Sequence, residues 1–385
     1  MTDATHRTAR TDDRMAKQGR EVPPFLPYAG PVTPADLSRT VLHAVRRAVD
    51  EDALRAPVPA RVRVERTRPG GSGDYACAVA LQLAGPAGIP ARGVAAILRE
   101  RVMSEPGIGR VEITGPGFLN FHLDASADAA AHTALVREVL EQGLRYGWAP
   151  ASPGRPHQLH HRREVRAAVT ADSVERLLRS QGAPVRTSCA EEPDPDWVRL
   201  GVTVDASGPP SVPVTETRPV PAGATAGELL ERLGADAARW GLLRPAGHDR
   251  AALGDELLVQ GEGNALFLVR YAHARARALT REGARLGLTG AYEDPVDAPA
   301  LHAALADHPG VLAAAARHQA PDRLARHLET VADAFFDLLD ATGPLPAGDE
   351  KPSAAHRSRL ALAEAAGTVL AGGLSLLGIS APEHL

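Results

Sequence analysis

Six cationic or aromatic side chains fall within the stretch 270–281: Arg270, Tyr271, His273, Arg275, Arg277 and Arg281, interleaved with alanine. A guanidinium on a long stem suits a phosphate oxygen, and a tyrosine ring can stack on a nucleobase. At 3.6 residues per turn, Tyr271, Arg275 and Ala278 share one helical face, and His273, Ala276 and Arg277 share another. Tyr271 and His273 read equally well as buried hydrogen-bonding residues that fix a helical bundle. A second constellation lies at Gly73-Asp-Tyr75 and Gly115-Pro-Gly-Phe-Leu-Asn-Phe121. The Asn120 amide can read a base edge, and Phe118, Phe121 and Tyr75 can stack. The rings also read as core, and Asp74 as a helix cap. A third group, His157, His160 and His161, sits in a polar stretch read as a loop. No matching ligand cluster elsewhere supports metal binding, so solvated loop histidines are the simpler reading.

The 385 residues allow two or three domains, and 44% hydrophobic content supports a sizeable core. Only 4% are aromatic, so packing rests on Leu, Val and Ala. A net charge of -4 means that any phosphate ligand must meet a local basic patch. Cys77 and Cys189 have no metal-ligand spacing and read as reduced thiols. No apolar run approaches the ~18 residues of a membrane helix, and no secretory leader is visible, so a cytoplasmic protein without membrane association is the expectation.

The elements that must position these residues follow from spacing. Residues 1–30 read as a disordered extension. Thr33-Pro34 opens a helix carrying Leu37, Val41, Leu42 and Val45. A strand near Val62 and Val64, helices over 76–83 and 90–102, and strands at 111–113 and 118–123 complete a compact α+β unit. A helix over 125–146 leads out. Residues 153–163 read as a loop, 164–181 as a helix stopped by Gly182, and the region around Val202 as a strand. From Ala224 the chain reads as almost wholly helical, with breaks including Pro309-Gly310 and Pro321. The fold class is α+β: a small N-terminal mixed domain, a reduced middle segment and a C-terminal all-α helical bundle.

Residues 73–84 are similar to the Gly-Asp-Tyr motif of the arginyl-tRNA synthetase N-terminal additional domain. Residues 115–121 resemble that domain's Pro-Gly-Phe-Ile-Asn strand. Gln260-Gly-Glu-Gly-Asn264, the 269–277 helix, the helix from His327 through Phe335 and Phe336, and Leu376-Leu-Gly-Ile-Ser-Ala-Pro-Glu383 resemble the DALR anticodon-binding domain of the same family. The resemblance implies domains at 31–124 and 224–385, with 125–223 as linker and remnant of a catalytic domain. It also implies tRNA contact through Asn120, Phe118, Phe121 and Tyr75 at one end and through Arg270, Tyr271, His273, Arg275, Arg277 and Arg281 at the other.

The family's ATP signatures are degraded here. Aligned back from Gly182, His161 takes the first histidine position of His-x-Gly-His, Arg163 replaces the glycine, Glu164 replaces the second histidine, and Arg166 keeps the arginine. At the lysine-rich second signature, ahead of Leu229-Leu-Glu-Arg-Leu-Gly-Ala-Asp-Ala-Ala-Arg-Trp240, only Arg218 offers positive charge. A carboxylate in place of an imidazole repels ATP, and the sheet between the signatures reads as shrunk to ~30 residues, too few for a doubly wound domain. The expectation is a pseudoenzyme: a non-catalytic paralogue without a cofactor. It would bind tRNA, with arginine tRNA foremost, as adaptor or regulator beside a tRNA-modifying or tRNA-using enzyme. The alternatives are a residual or altered aminoacyl-tRNA ligase or transferase, and a protein–protein scaffold that no longer binds RNA.

Overall fold

The computed structural model describes residues 34–67, 71–105, 107–151, 154 and 156–385. The N-terminal extension and the capping Thr33 lie outside the described residues.

Helix α1 (Pro34–Asp50) buries Leu37, Val41, Ala44, Val45 and Ala48, one stripe at helical spacing. It packs on α3 (Ala91–Val102) beside an antiparallel sheet of order β1-β2-β4-β3, made of β1 (Val64–Arg66), β2 (Tyr75–Cys77), β3 (Ile108–Thr114) and β4 (Phe118–Leu123). The helix expected over 76–83 is displaced. Residues 75–77 pair with both β1 and β4, and α2 (Val79–Ala87) starts only afterwards and carries Pro86. Gly73 makes this turn possible: its φ is +80, and a Cβ there would stand 2.7 Å from the Phe121 carbonyl oxygen. Asp74 caps no helix; its carboxylate accepts from the Leu123 amide at 2.8 Å and ties the turn to β4.

Helix α4 (Ala125–Gln142) and a 3-10 turn (Gly143–Arg145) lead to a second sheet. Its strands are β5 (His157–His161), β6 (Val185–Cys189), β7 (Ala206–Ser207) and β8 (Thr215–Thr217), all parallel, in the order β7-β6-β5-β8, with α5 (Val165–Ser180) as the crossover between β5 and β6. Two expectations are corrected here. Residues 157–161 form a central strand of this four-stranded parallel sheet and no loop. The strand after the acidic loop is at 206–207, beyond Val202. The misreading has a physical cause: β5 is His-Gln-Leu-His-His, a polar run, in which His157 is exposed and His160 and His161 are buried with partners. His160 Nδ1 lies 2.9 Å from Ser188 Oγ, His161 Nδ1 lies 2.9 Å from the Arg162 carbonyl, and the His161 ring tilts against Trp197. Burial pulls the His161 pKa below its ordinary value.

The remainder is helical: α6 (Ala226–Leu243, kinked at Gly234), α7 (Ala265–Arg285), α8 (Pro299–His318), α9 (Pro321–Ala341) and α10 (Ala354–Leu376). Helix α8 runs unbroken through Pro309-Gly310. The carbonyl of Leu305, left without its usual amide partner, accepts from the Tyr146 hydroxyl at 3.2 Å. A single core extends from Leu135 on α4 to Ile379 and includes Leu159, Leu177, Trp240, Val269 and Phe335, so the middle sheet and the bundle are packed as one body. The N-terminal unit keeps its own core, from Leu37 to Phe121. No helix among the described residues is long and apolar enough to cross a membrane.

Candidate functional site

The N-terminus of α5, where the parallel sheet's β5 hands over to its crossover helix, is the position at which such folds accept anions. Here the chain supplies its own anion. Glu164 is the N-cap: one carboxylate oxygen accepts from the Ala167 amide at 2.8 Å, and the other accepts from the Ala222 amide at 2.8 Å. Glu164 therefore joins the start of α5 to the segment that follows β8. Arg166, with no exposed surface, reinforces the same junction. Its guanidinium donates to the carbonyls of Val220 (3.0 Å), Leu242 (2.9 Å), Pro245 (3.1 Å), Ala246 (3.0 Å) and Asp249. Burial pulls its pKa down, with Glu164, Asp249 and Asp322 acting in the opposite direction.

The other signature positions point elsewhere. Arg163 donates to the Glu192 carbonyl at 2.8 Å. Arg218 is ion-paired with Glu216 on β8 and largely exposed. His161 lies in the core at 2% exposure, behind the junction. No group of three or more His, Cys, Asp or Glu side chains among the described residues is placed to hold a metal ion.

Helix α7 presents a different surface. Asn264 caps it, its side chain accepting from the Phe267 amide at 3.3 Å. Tyr271 is 41% exposed and stands between two other rings. Phe267 stacks on it at 5.6 Å (6° between planes) and Phe336 at 5.7 Å (24°). Arg275 is exposed on the same face. Arg270 donates to Ser380 Oγ at 3.3 Å and lies 3.4 Å from Asp236. Arg277 and Arg281 both meet Glu383, at 3.1 and 3.6 Å. His273 is buried, and its Nδ1 lies 2.9 Å from the Pro382 carbonyl. Of the six residues singled out on this helix, five reach the surface. His273 does not, and its role is to hold the segment after α10 in place.

At the N-terminal sheet, Phe121 has no exposed surface and Tyr75 has 6%. A ring with no free face cannot stack on a base, so both leave the candidate surface and belong to the core. Asn120 is 5% exposed and its amide donates to Thr114 Oγ1 at 2.6 Å, which engages the group expected to read a base edge. Phe118, at the β3–β4 turn, is exposed. His122, Arg110 and Glu112 are joined near Ser72, with His122 Nε2 3.2 Å from Glu112 and Arg110 2.8 Å from the same carboxylate.

Sequence reading missed Phe267 and Phe336, although the i, i+4 spacing of Phe267 and Tyr271 was a usable signal. It also gave no role to Asp236 and Glu383, whose contacts with Ser380 and with Arg277 and Arg281 cross more than 100 residues and leave no local trace. Arg239, at 1% exposure, escaped attention too. It binds Asp172 together with the carbonyls of Leu200 and Leu377, and so locks α5, α6 and the end of α10 together.

Comparison with known proteins agrees with this anatomy. A model of the arginyl tRNA synthetase N terminal domain matches residues 36–123, and one of the DALR anticodon binding domain matches residues 269–385. The arginine–tRNA ligase of Renibacterium salmoninarum is 27% identical over 557 residues, covering 92% of this chain and 100% of the relative. That of Kineococcus radiotolerans is 25% identical over 560 residues, with the same coverage. The span of 557 exceeds this chain's 385 residues by 172, so at least that many aligned positions have no residue here. In fold, the chain is similar to the Thermus thermophilus arginyl-tRNA synthetase, with a TM-score of 0.64 at 16% identity over 91% of this chain and 100% of that one. It is also similar to the Plasmodium falciparum arginyl-tRNA synthetase, with a TM-score of 0.65 at 8% identity over 93% of this chain and 100% of that one.

Proposed function

We propose that this chain, which carries the N-terminal and DALR anticodon-binding domains of arginyl-tRNA synthetases, holds tRNA without activating an amino acid. The carrying observation is the closed junction at α5. Glu164 occupies the helix N-terminus with a carboxylate already bonded to two amides, and Arg166 is spent on backbone carbonyls. An incoming triphosphate would have to displace one anion, and Arg163, Arg218 and His161 are all turned to other partners.

The tRNA-facing side rests on α7. Arg275, the Phe267–Tyr271–Phe336 stack and the half-exposed Arg277 and Arg281 combine cations with aromatic faces, the pairing that single-stranded RNA requires. Phe118 and the Arg110–His122 surface supply a second contact at the other end of the chain. In this reading the protein is an adaptor or regulator that holds tRNA for a tRNA-using or tRNA-modifying enzyme, and arginine tRNA is the expected cargo. A gel shift with total tRNA at low and moderate salt tests it. Retention that weakens with salt is expected, and no retention at micromolar protein in either condition would defeat the reading. Sequencing the RNA that co-purifies with the chain identifies the cargo.

A scaffold that binds protein and no RNA is the second reading. The observation in its favour is that Arg270, Arg277 and Arg281 are already paired with carboxylates. Partners that survive RNase in a pull-down, from a chain that retains no tRNA, would support it.

A further inference from the structure

We infer that residues 381–384 form a displaceable cover over the cationic face of α7, in which the Glu383 carboxylate stands where an RNA phosphate binds. The inference rests on the tRNA reading above and adds a regulation to the same site.

The contacts divide the segment after α10 into a fixed and a movable part. Its start is fixed. Gly378 (φ +71) lies against the buried Arg239 guanidinium, and a Cβ there would approach it to 2.4 Å. The Ile379 amide bonds back to the Leu374 carbonyl at 2.9 Å, closing α10. Ser380 is held twice by Asp236, through its amide at 2.9 Å and through its hydroxyl. Beyond Ser380 the holding contacts are with α7. The Pro382 carbonyl meets His273, Glu383 meets Arg277 and Arg281, the Glu383 carbonyl accepts from Arg281 at 3.2 Å, and His384 lies 3.4 Å from Arg281.

The ionic part of this contact is half-exposed: Glu383 is 53% exposed, Arg277 40% and Arg281 33%. Pairs in such surroundings contribute little net stability and exchange readily for another anion. By contrast, the Arg239–Asp172 pair nearby is almost fully buried and has no such freedom. Beneath the segment lies a cavity of about 660 Å³, bordered by Arg176, His273, Arg277, Thr368, Ser375 and Glu383. The guanidinium groups of Arg277 and of Arg176, the latter also paired with Asp172, and the hydroxyls of Thr368, Ser375 and Ser380 at its wall suit an anionic ligand, and the segment 379–383 closes one side of it. Lifting Glu383 therefore frees two adjacent cations and opens a polar recess beside them in a single movement.

The test uses the full chain and the variant E383Q, which removes the charge and keeps the shape. Binding of arginine tRNA is followed by fluorescence anisotropy across a salt series. Amide exchange at 381–385 is followed with and without tRNA, and with sodium tripolyphosphate as a probe that carries no RNA. The cover predicts about fivefold tighter tRNA binding by E383Q at low salt, a steeper salt dependence, and faster exchange at 381–385 in the parent chain when tRNA or tripolyphosphate is added. Equal binding by parent and variant, with exchange at 381–385 unchanged or slowed, overturns the cover and leaves the tRNA reading intact. Absence of tRNA binding in both chains together with faster exchange on tripolyphosphate defeats the tRNA reading and keeps an anion-displaced cover. Absence of both responses removes both.

Discussion

The start of α5 and the outer face of α7 both carry charged side chains at positions suited to phosphate, and they treat that charge in opposite ways. At α5, Glu164 and Arg166 are turned inward and saturated by backbone amides and carbonyls. At α7, Arg270, Arg277 and Arg281 are partly exposed and held by carboxylates and a serine. A backbone partner inside the core cannot swing away without local unfolding, whereas the half-exposed Glu383 and the short segment that carries it can move aside. The first region has turned its charge into fold stability, and the second has kept its charge exchangeable.

The largest effect expected separates folding from ligand binding by pH. His302 and His308 are pushed down to about 3 and His327 to about 4, by burial first; His132 adds to it for His302 and His327 for His308. In the unfolded chain each titrates near ~6.5. Below that value the unfolded state binds protons the folded state refuses. Their contribution is therefore fully present above about pH 6.5 and is lost as the pH falls toward 3–4, with a slope of about 4 kcal/mol per pH unit for the three together. Urea unfolding from pH 7 to 5 measures it, and His308→Phe should remove about a third of that slope. Because guanidinium groups do not titrate in this range, tRNA retention between pH 7 and 8 should be flat.

Next comes Arg166→Met, which strands five carbonyls at the junction and should cost about 3–5 kcal/mol in urea unfolding. Glu164→Ala removes a helix cap and a link to Ala222, and about 1–2 kcal/mol is expected. Smallest in stability are Arg277→Ala and Arg281→Ala, below about 1 kcal/mol each. These same two variants should weaken tRNA binding and flatten its salt dependence, whereas Glu164→Ala should leave tRNA binding unchanged. A loss of more than about 3 kcal/mol in Arg277→Ala, or none in Arg166→Met, would break the contrast.

Much of this could be read from the chain alone. The stripe on α1, the Gly182 stop, the all-helical C-terminal bundle and the cationic face of α7 all follow from local spacing, because each depends on residues within a few turns. The strand at β5 was hidden because two of its three histidines are buried, and the partner of His160, Ser188, lies 28 residues away. The continuity of α8 through Pro309 was hidden because Tyr146, far upstream, satisfies the stranded carbonyl. At the site, Glu164 was visible as a carboxylate at the start of α5, but its bond to Ala222 was not. Glu383 was quoted as part of a motif, yet nothing local marks it as the partner of Arg277 and Arg281. Burial misled in the other direction at Tyr75, Phe121 and His273, whose residue types suit recognition and whose positions serve packing.

The measurement that bears most directly on the central claim is arginine-dependent ATP–pyrophosphate exchange by the full chain, with and without arginine tRNA. A closed junction at Glu164 and Arg166 predicts exchange no faster than a reaction lacking the protein. Exchange that saturates with ATP and requires arginine would show that the α5 N-terminus still accepts a triphosphate, and would contradict the account.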